Sequence, residues 1–178
     1  MRRPSLPRGR PPATRPPQAG EITIAVDVSR RGLLPAADVR WLAAVARRAV
    51  TFIGRLPAEI SIRILDDPGI AALHDRWLGV PGPTDVITFD LGTPGGPGLH
   101  GDIAVSVDTA RRMAKEVGWD SRYELAYYAV HGLLHLAGED DVAPDDRRRM
   151  RASERRLLVA VGLPGPPPRR PRRPRRRA

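Results

Sequence analysis

The stretch from Leu125 to Leu136 carries no charged side chain, and most of its residues are apolar. A helix that is apolar on all sides must be buried, so this segment predicts a central helix that the rest of the fold encloses. Ser121, with Glu124 three residues later, has the pattern of a capping box and predicts where the helix begins. We expect the helix to run to about Ala137.

Two histidines lie on this predicted helix four residues apart, at His131 and His135. At 3.6 residues per turn they share one face, which is the spacing with which two imidazole nitrogens hold one metal ion. A pair of hydrogen-bonded core histidines is the alternative interpretation. The chain has only four histidines, and two of them at ligand spacing favour a metal site.

Gly138 predicts the end of the helix, because glycine readily takes the positive φ that follows a last helical turn. If the helix continued, Asp141 would lie roughly 15 Å beyond His131 along its axis. A turn at Gly138 instead lets the carboxylate of Asp140 or Asp141 return to the same ion. Two histidines and one carboxylate leave a coordination position for water, which is typical of a catalytic metal site.

The two ends of the chain differ from its middle. Residues 1–20 contain six Pro and five Arg, residues 164–178 contain six Pro and seven Arg, and neither segment has an acidic residue. Such segments bury too little apolar surface to offset their ordering entropy, so we predict disordered tails around a folded domain at 21–163. The domain has 18 basic and 20 acidic residues, a net charge of −2, and the tails carry +12.

Several classes of protein are excluded by composition. The chain has no cysteine, so disulfides and thiolate metal ligands are absent. It has no run of 18 apolar residues, so no membrane span is predicted. The N-terminus lacks the apolar core of a secretory signal, and its prolines oppose the amphipathic helix of a transit peptide. We therefore expect a cytoplasmic protein.

Strand-like alternation and helical periodicity take turns along the middle of the chain. Strands are predicted at residues 21–28, 59–65, 84–91 and 101–107. Helices are predicted at residues 35–53, 66–77, 108–117, 121–137 and 144–161. This order predicts an α/β (α+β) domain in which about five helices pack on a small sheet of about four strands. The last two strands flank a Gly/Pro loop, which suits a hairpin.

Three segments have the pattern of one known family. Residues 83–89 (PTDVITF) resemble its P-T-D-V-[LI]-S-F strand, and residues 101–106 (GDIAVS) resemble its G-D-I-x-[IV]-S strand. Residues 131–141 (HGLLHLAGEDD) resemble its H-G-x-L-H-L-x-G-Y-D-H signature. With matching order and spacing over roughly Glu21 to Gly162, the chain resembles the YbeY family of bacterial single-strand-specific endoribonucleases and rRNA maturation factors.

This resemblance implies a small mixed sheet surrounded by helices and a metal-dependent hydrolase that cuts single-stranded RNA. It implies rRNA as the substrate, particularly the 3′ end of small-subunit rRNA, with a role in ribosome quality control. The implied partners are the small ribosomal subunit and its assembly factors. The implied cofactor is Zn2+, with another divalent metal as the alternative. The oligomeric state is left open.

The resemblance assigns the metal to His131, His135 and Asp141, where Asp141 stands in the place of the family's usual third histidine. Aspartate is a competent zinc ligand, but it adds negative charge and makes the site harder, so manganese or magnesium compete better. Many family members have an arginine at the position of Leu78. Here Arg76 lies two residues earlier and is the candidate for that catalytic role.

Other carboxylates are candidates for supporting roles. Asp85 and Asp102, in the two strand segments of the resemblance, are candidates to orient a metal-binding histidine. The alternative is that Asp85 caps a turn and Asp102 is a solvated loop residue. Glu139 is the carboxylate nearest the histidine motif and a weak candidate for a general base.

Two other functions stay open. The first is a metalloprotease-like hydrolase, although Gly132 stands where HExxH proteases have their general-base glutamate. The second is a non-catalytic ribosome-assembly factor with a structural metal. The Arg/Pro tails suit sequence-independent contact with RNA phosphates, or they are simply solvated.

Overall fold

The computed structural model describes residues 20–93 and 96–165. In these ranges the strands are β1 (Ile22–Val28), β2 (Ala58–Leu65), β3 (Val86–Asp90) and β4 (Leu99–Ser106). The helices are α1 (Ala36–Ile53), α2 (Asp67–Leu78), α3 (Val107–Val117), α4 (Ser121–Leu136) and α5 (Pro144–Ala160). The predicted order of elements is confirmed. The predicted tails lie almost wholly outside the described residues, so their disorder stays a prediction.

The four strands form one mixed sheet in the order β1-β2-β4-β3. β1 is parallel to β2, and β2 is parallel to β4, because α1 and α2 lie in the connections between them. β3 runs antiparallel to β4, as the predicted hairpin requires. The α/β fold class is therefore confirmed, and none of the described helices has the length and hydropathy needed to cross a bilayer.

The two faces of the sheet carry different helices. Ile103 and Val105 of β4 belong to the large core, which also contains the buried side chains of α1, α4 and α5. Ala104 points to the other face and packs with Ile70 of α2 in a smaller cluster. Ten of the sixteen residues of α4 are buried, so the enclosed central helix predicted from the sequence is confirmed.

α4 lies very close to β4 because each of them has a glycine at the contact. Gly101 of β4 faces α4, and Gly132 of α4 faces β4. A Cβ on Gly101 would lie 2.5 Å from Leu136 Cδ2 and 2.7 Å from the backbone oxygen of Phe89. A Cβ on Gly132 would lie 2.8 Å from Ile103 Cγ2. These distances are below ordinary van der Waals contact, so only glycine fits at either position without a shift.

The start of α4 differs from the prediction. Asp120, not Ser121, is the N-cap, and its side chain accepts a hydrogen bond from the Arg122 N–H. The carboxylate carries a full negative charge at the positive end of the helix dipole, which the Ser121 hydroxyl does not. Glu124 is buried at 2% exposure.

We expect the Gly101→Ala substitution to lower the free energy of unfolding by about 1–3 kcal/mol, the usual cost of overpacking a core. The new methyl group meets a backbone oxygen, which cannot rotate away. Urea denaturation followed by circular dichroism measures this change. Gly165→Ala is the matched control, because its Cβ would meet only Arg155 Cγ at 3.5 Å. Equal stability of the two variants would contradict the close approach of α4 to β4.

Candidate metal centre

The C-terminus of α4 reverses the chain through a Schellman motif. Gly138 has φ +93°, the left-handed conformation that glycine adopts without strain. Its N–H donates to the His135 carbonyl at 2.9 Å, and the Glu139 N–H donates to the Leu134 carbonyl at 3.0 Å. The predicted helix stop is thus confirmed, and the reversal carries Asp141 back towards the histidine face of the helix.

Three side chains converge beyond this turn. The Nε2 atoms of His131 and His135 lie 3.0 Å apart. The carboxylate of Asp141 lies 4.0 Å from Nε2 of His131 through Oδ2, and 3.9 Å from Nε2 of His135 through Oδ1. One ligand atom from each residue lies within 4.8 Å of the other two. The structure therefore brings together the three residues that the sequence pattern selected.

The other nitrogen of each imidazole is held by an acceptor. Nδ1 of His131 lies 2.7 Å from Oε1 of Glu154, and Nδ1 of His135 lies 2.9 Å from the carbonyl oxygen of Glu139. Glu154 is 2% exposed, and its Oε2 accepts a hydrogen bond from the Tyr127 hydroxyl at 2.9 Å. Such contacts hold the rings of metal-binding histidines in place.

These contacts decide where the ring protons lie. A carbonyl oxygen only accepts, so Nδ1 of His135 carries a hydrogen, and an ionised Glu154 requires the same of His131. A histidine whose Nδ1 donates can bind a metal through its Nε2, and the two Nε2 atoms face each other across 3.0 Å. The arrangement therefore suits a shared metal ion.

The spacing of the donors also fits a metal. Tetrahedral zinc with bonds of about 2.0–2.2 Å places its ligand atoms about 3.3–3.6 Å apart. The two imidazole nitrogens, at 3.0 Å, are already near this separation. The Asp141 carboxylate is somewhat farther away, but its side chain is 45% exposed and has room to rotate inward. The residues present therefore form a set that could hold a divalent cation.

The site opens into a cleft of about 230 Å³ between α4, α5 and the start of β3. Its lining is rich in charged and aromatic side chains: Asp85, Val86, Tyr127, Tyr128, His131, Asp141, Arg147, Met150, Arg151 and Glu154. A polar cleft beside a candidate metal set suits a charged, polar substrate better than an apolar one.

Arg76 is not among the residues that line this cleft. Its guanidinium lies 5.6 Å from the centre of the Trp77 ring, near the end of α2. α2 packs on the face of the sheet opposite α4, through Ile70 and Ala104. The structure therefore does not bring Arg76 together with the histidines.

The other candidate carboxylates are also placed. Asp85 lines the cleft, and its Oδ1 accepts hydrogen bonds from the Thr84 hydroxyl and the Val86 N–H, both at 3.1 Å. It thus caps the turn before β3, and neither Asp85 nor Asp102 is the partner of an imidazole Nδ1. Glu139 supplies its backbone oxygen to His135, and its side chain does not line the cleft.

Sequence reasoning missed Glu154, although the chain holds a signal for it. Met150, Leu157 and Leu158 form the buried stripe of α5, and Glu154 lies on that stripe at helical spacing. A glutamate on a core-facing stripe is rarely tolerated unless it has a partner, so its position in the pattern points to one.

We expect Glu154→Ala to weaken metal binding about 10- to 100-fold, because His131 loses the acceptor that holds its ring. Isothermal titration with Zn2+ measures this affinity. Glu116→Ala is the control, since it removes the same charge from an exposed site on α3. If Glu154→Ala folds normally and keeps the affinity of the unchanged protein, Glu154 has no positioning role.

Known proteins share this chain's sequence and fold. The family model described as Endoribonuclease YbeY matches residues 36–162. Endoribonuclease YbeY of Beutenbergia cavernae is 37% identical over 131 residues, which cover 68% of this chain and 87% of that protein. The protein of the same name from Thermobifida fusca is 35% identical over 145 residues, covering 76% and 93%. That from Anaeromyxobacter is 46% identical over 114 residues, covering 64% and 59%.

A solved structure supports the fold independently. The solution structure of TM1509 from Thermotoga maritima matches with a TM-score of 0.58, covering 78% of this chain and 89% of that one. At 22% identity, this likeness bears on the fold alone. The family match extends from α1 to the end of α5 and so includes all three convergent side chains. The chain belongs to the Endoribonuclease YbeY family.

Proposed function

We propose that this protein is a metal-dependent endoribonuclease that cuts single-stranded RNA and acts in rRNA maturation, particularly at the 3′ end of small-subunit rRNA. It works in the cytoplasm on rRNA within or near the small ribosomal subunit, together with assembly factors, and contributes to ribosome quality control. Family membership supports the RNA substrate. The cleft supports chemistry on a charged group, because its lining carries both carboxylates and guanidinium groups.

One observation carries the metal dependence. The Nε2 atoms of His131 and His135 face each other at 3.0 Å, with both rings anchored through Nδ1. Their Nε2 atoms and the Asp141 carboxylate would hold the cation. When bound, a divalent ion supplies Lewis acidity towards a phosphoryl oxygen and activates water near neutral pH. Zinc is the first candidate, and the carboxylate ligand makes manganese a stronger competitor than at a site of three imidazoles.

The chain's own residues must also move protons. In the cleavage of a phosphodiester, the attacking group is either water or the RNA 2′-OH. This group loses a proton, and the departing 5′-oxygen gains one. Of the three carboxylates in the cleft, Glu154 holds the His131 ring and Asp141 would hold the cation, which leaves Asp85. Because its Oδ1 accepts from Thr84 and Val86, its Oδ2 is the atom we assign as proton acceptor.

The structure and the sequence give less support to the alternative of a metalloprotease-like hydrolase. A protease of the HExxH type needs a glutamate directly after its first histidine, where this chain has Gly132. Gly132 packs against Ile103, and even a Cβ there would lie 2.8 Å from Ile103 Cγ2. The position is therefore part of the contact between α4 and the sheet, with no room for a catalytic side chain.

Substrate assays test the proposal directly. The full-length, zinc-loaded protein is incubated with single-stranded RNA, with a small-subunit rRNA precursor that keeps its 3′ extension, and with casein. We expect cleavage of both RNAs, none of casein, and loss of cleavage with chelator. Casein cleavage would instead support the protease. Inactivity on all three, with chelator lowering the melting temperature, would support the assembly factor with a structural metal.

His135→Ala is expected to lose about one equivalent of bound metal and all nuclease activity, since it removes one of the two imidazole donors. Elemental analysis and an RNA cleavage assay measure the two effects. His100→Ala is the control, because His100 lies on β4 and is not one of the three convergent side chains. Intact cleavage by His135→Ala would remove the site from the mechanism.

Asp141→His should raise the preference for zinc over manganese, because it replaces a hard carboxylate oxygen by a neutral imidazole. Competition dialysis against equal concentrations of the two metals, followed by elemental analysis, gives the ratio. The expected direction is a higher zinc fraction than in the unchanged protein. An unchanged ratio would mean that Asp141 does not contact the metal.

A further inference from the structure

One stripe of α5 faces the cleft. Arg147, Met150, Arg151 and Glu154 all line it, and their spacing of three and four residues puts them on one side of the helix. The Glu154 carboxylate is hydrogen-bonded to His131 and Tyr127, and Met150 is buried. The two arginines are the positively charged groups of the cleft wall.

Arg147 has a structural partner. Its Nη1 donates to the carbonyl oxygen of Val142 at 2.8 Å and lies 3.4 Å from the carbonyl oxygen of Asp141. The guanidinium therefore ties α5 to the segment that carries the third metal ligand. Arg147 therefore positions Asp141 through contacts with the backbone of residues 141 and 142 and not through the Asp141 carboxylate.

Arg151 differs from Arg147, because its guanidinium contacts no partner among the described residues. Its neighbours Arg148 and Arg149 are paired with Asp145 and Asp146 one turn earlier on the exposed side of α5. Within the part of the chain that the structure describes, Arg151 has neither a salt bridge nor a hydrogen bond. It is exposed at the mouth of the cleft. A guanidinium at such a place is available to an anionic ligand.

The charge of the cleft supports an anion there. Its lining holds three carboxylates (Asp85, Asp141 and Glu154) and two guanidinium groups, a net charge of −1 with histidines neutral. A divalent cation changes this to +1. The cleft therefore attracts a phosphate once metal is present, and the surplus positive charge depends on Arg151.

We propose that Arg151 binds a backbone phosphate of the RNA beside the one that is cleaved, while Arg147 only positions Asp141. The inference rests on the proposed function and deepens it. A guanidinium suits this task, because its parallel N–H groups bind two oxygens of one phosphate. An exposed arginine at the mouth of the cleft contacts the chain on one side of the reacting group.

Equilibrium binding tests this without cleavage. The probe is a fluorescent 2′-O-methyl phosphorothioate tetranucleotide, which resists hydrolysis and has few phosphates for the Arg-rich tails to contact. The protein is full-length and loaded with zinc. We expect Arg151→Ala to bind about tenfold more weakly, the loss typical of a charged hydrogen-bonding group. The slope of log affinity against log salt should fall by about 0.7, one phosphate contact on a single strand.

Two variants serve as controls. Arg148→Ala removes the same charge from the same helix but outside the cleft, and its affinity should stay within about twofold of that of the unchanged protein. Arg151→Lys keeps the charge but loses the paired N–H groups, so it should lie between the two. Arg151→Ala should also keep a full equivalent of zinc, which separates phosphate binding from metal binding.

The outcomes distinguish this inference from the proposed function. If the unchanged protein cleaves RNA, but Arg151→Ala and Arg148→Ala bind the probe equally well, the inference fails and the proposed function stands. If the unchanged protein binds the probe through Arg151 but never cleaves RNA, phosphate binding by Arg151 stands and the nuclease proposal fails. Loss of zinc from Arg151→Ala would also overturn the inference, because it would assign Arg151 to the metal site.

Discussion

The centre of this structure depends on how two imidazole rings are anchored. Glu154 and the carbonyl oxygen of Glu139 each lie within hydrogen-bonding distance of the Nδ1 atom of one histidine, and the two Nε2 atoms face one point. The turn at Gly138 makes this possible, since it ends the helix and brings the Glu139 carbonyl under His135. A single reversal of the chain thus holds the His135 ring and brings Asp141 towards both histidines.

Local patterns were enough to predict much of this arrangement. The order of strands and helices, the buried α4, the His131–His135 pair and the stop at Gly138 depend on neighbours within a few residues, so the sequence displays them directly. Glu154 is different, because it lies 23 residues from His131 on another helix. Their contact depends on how α5 packs against α4, and nothing in the local sequence of either helix specifies that packing.

The arginines show the same limit more sharply. Arg76 is close in sequence to the position that family resemblance marked, but α2 lies on the far face of the sheet. Arg147 and Arg151 are remote in sequence from the histidine pair. They lie in a helix with several arginines, and the sequence alone does not show which of these face the cleft. Only the packing of α5 separates those that line the cleft from Arg148 and Arg149, which pair with aspartates outside it.

The near contact of α4 with β4 at Gly101 and Gly132 gives the cleft two unequal walls. On one side, the histidines lie on a helix that cannot shift unless the sheet shifts with it. That wall of the cleft is therefore rigid. On the other side, α5 reaches the Asp141 segment through polar contacts to backbone oxygens at the protein surface. A substitution on the exposed side of α5, such as at Arg151, would therefore change this wall of the cleft without moving the histidines, whereas one at the buried Glu154 would disturb the His131 ring.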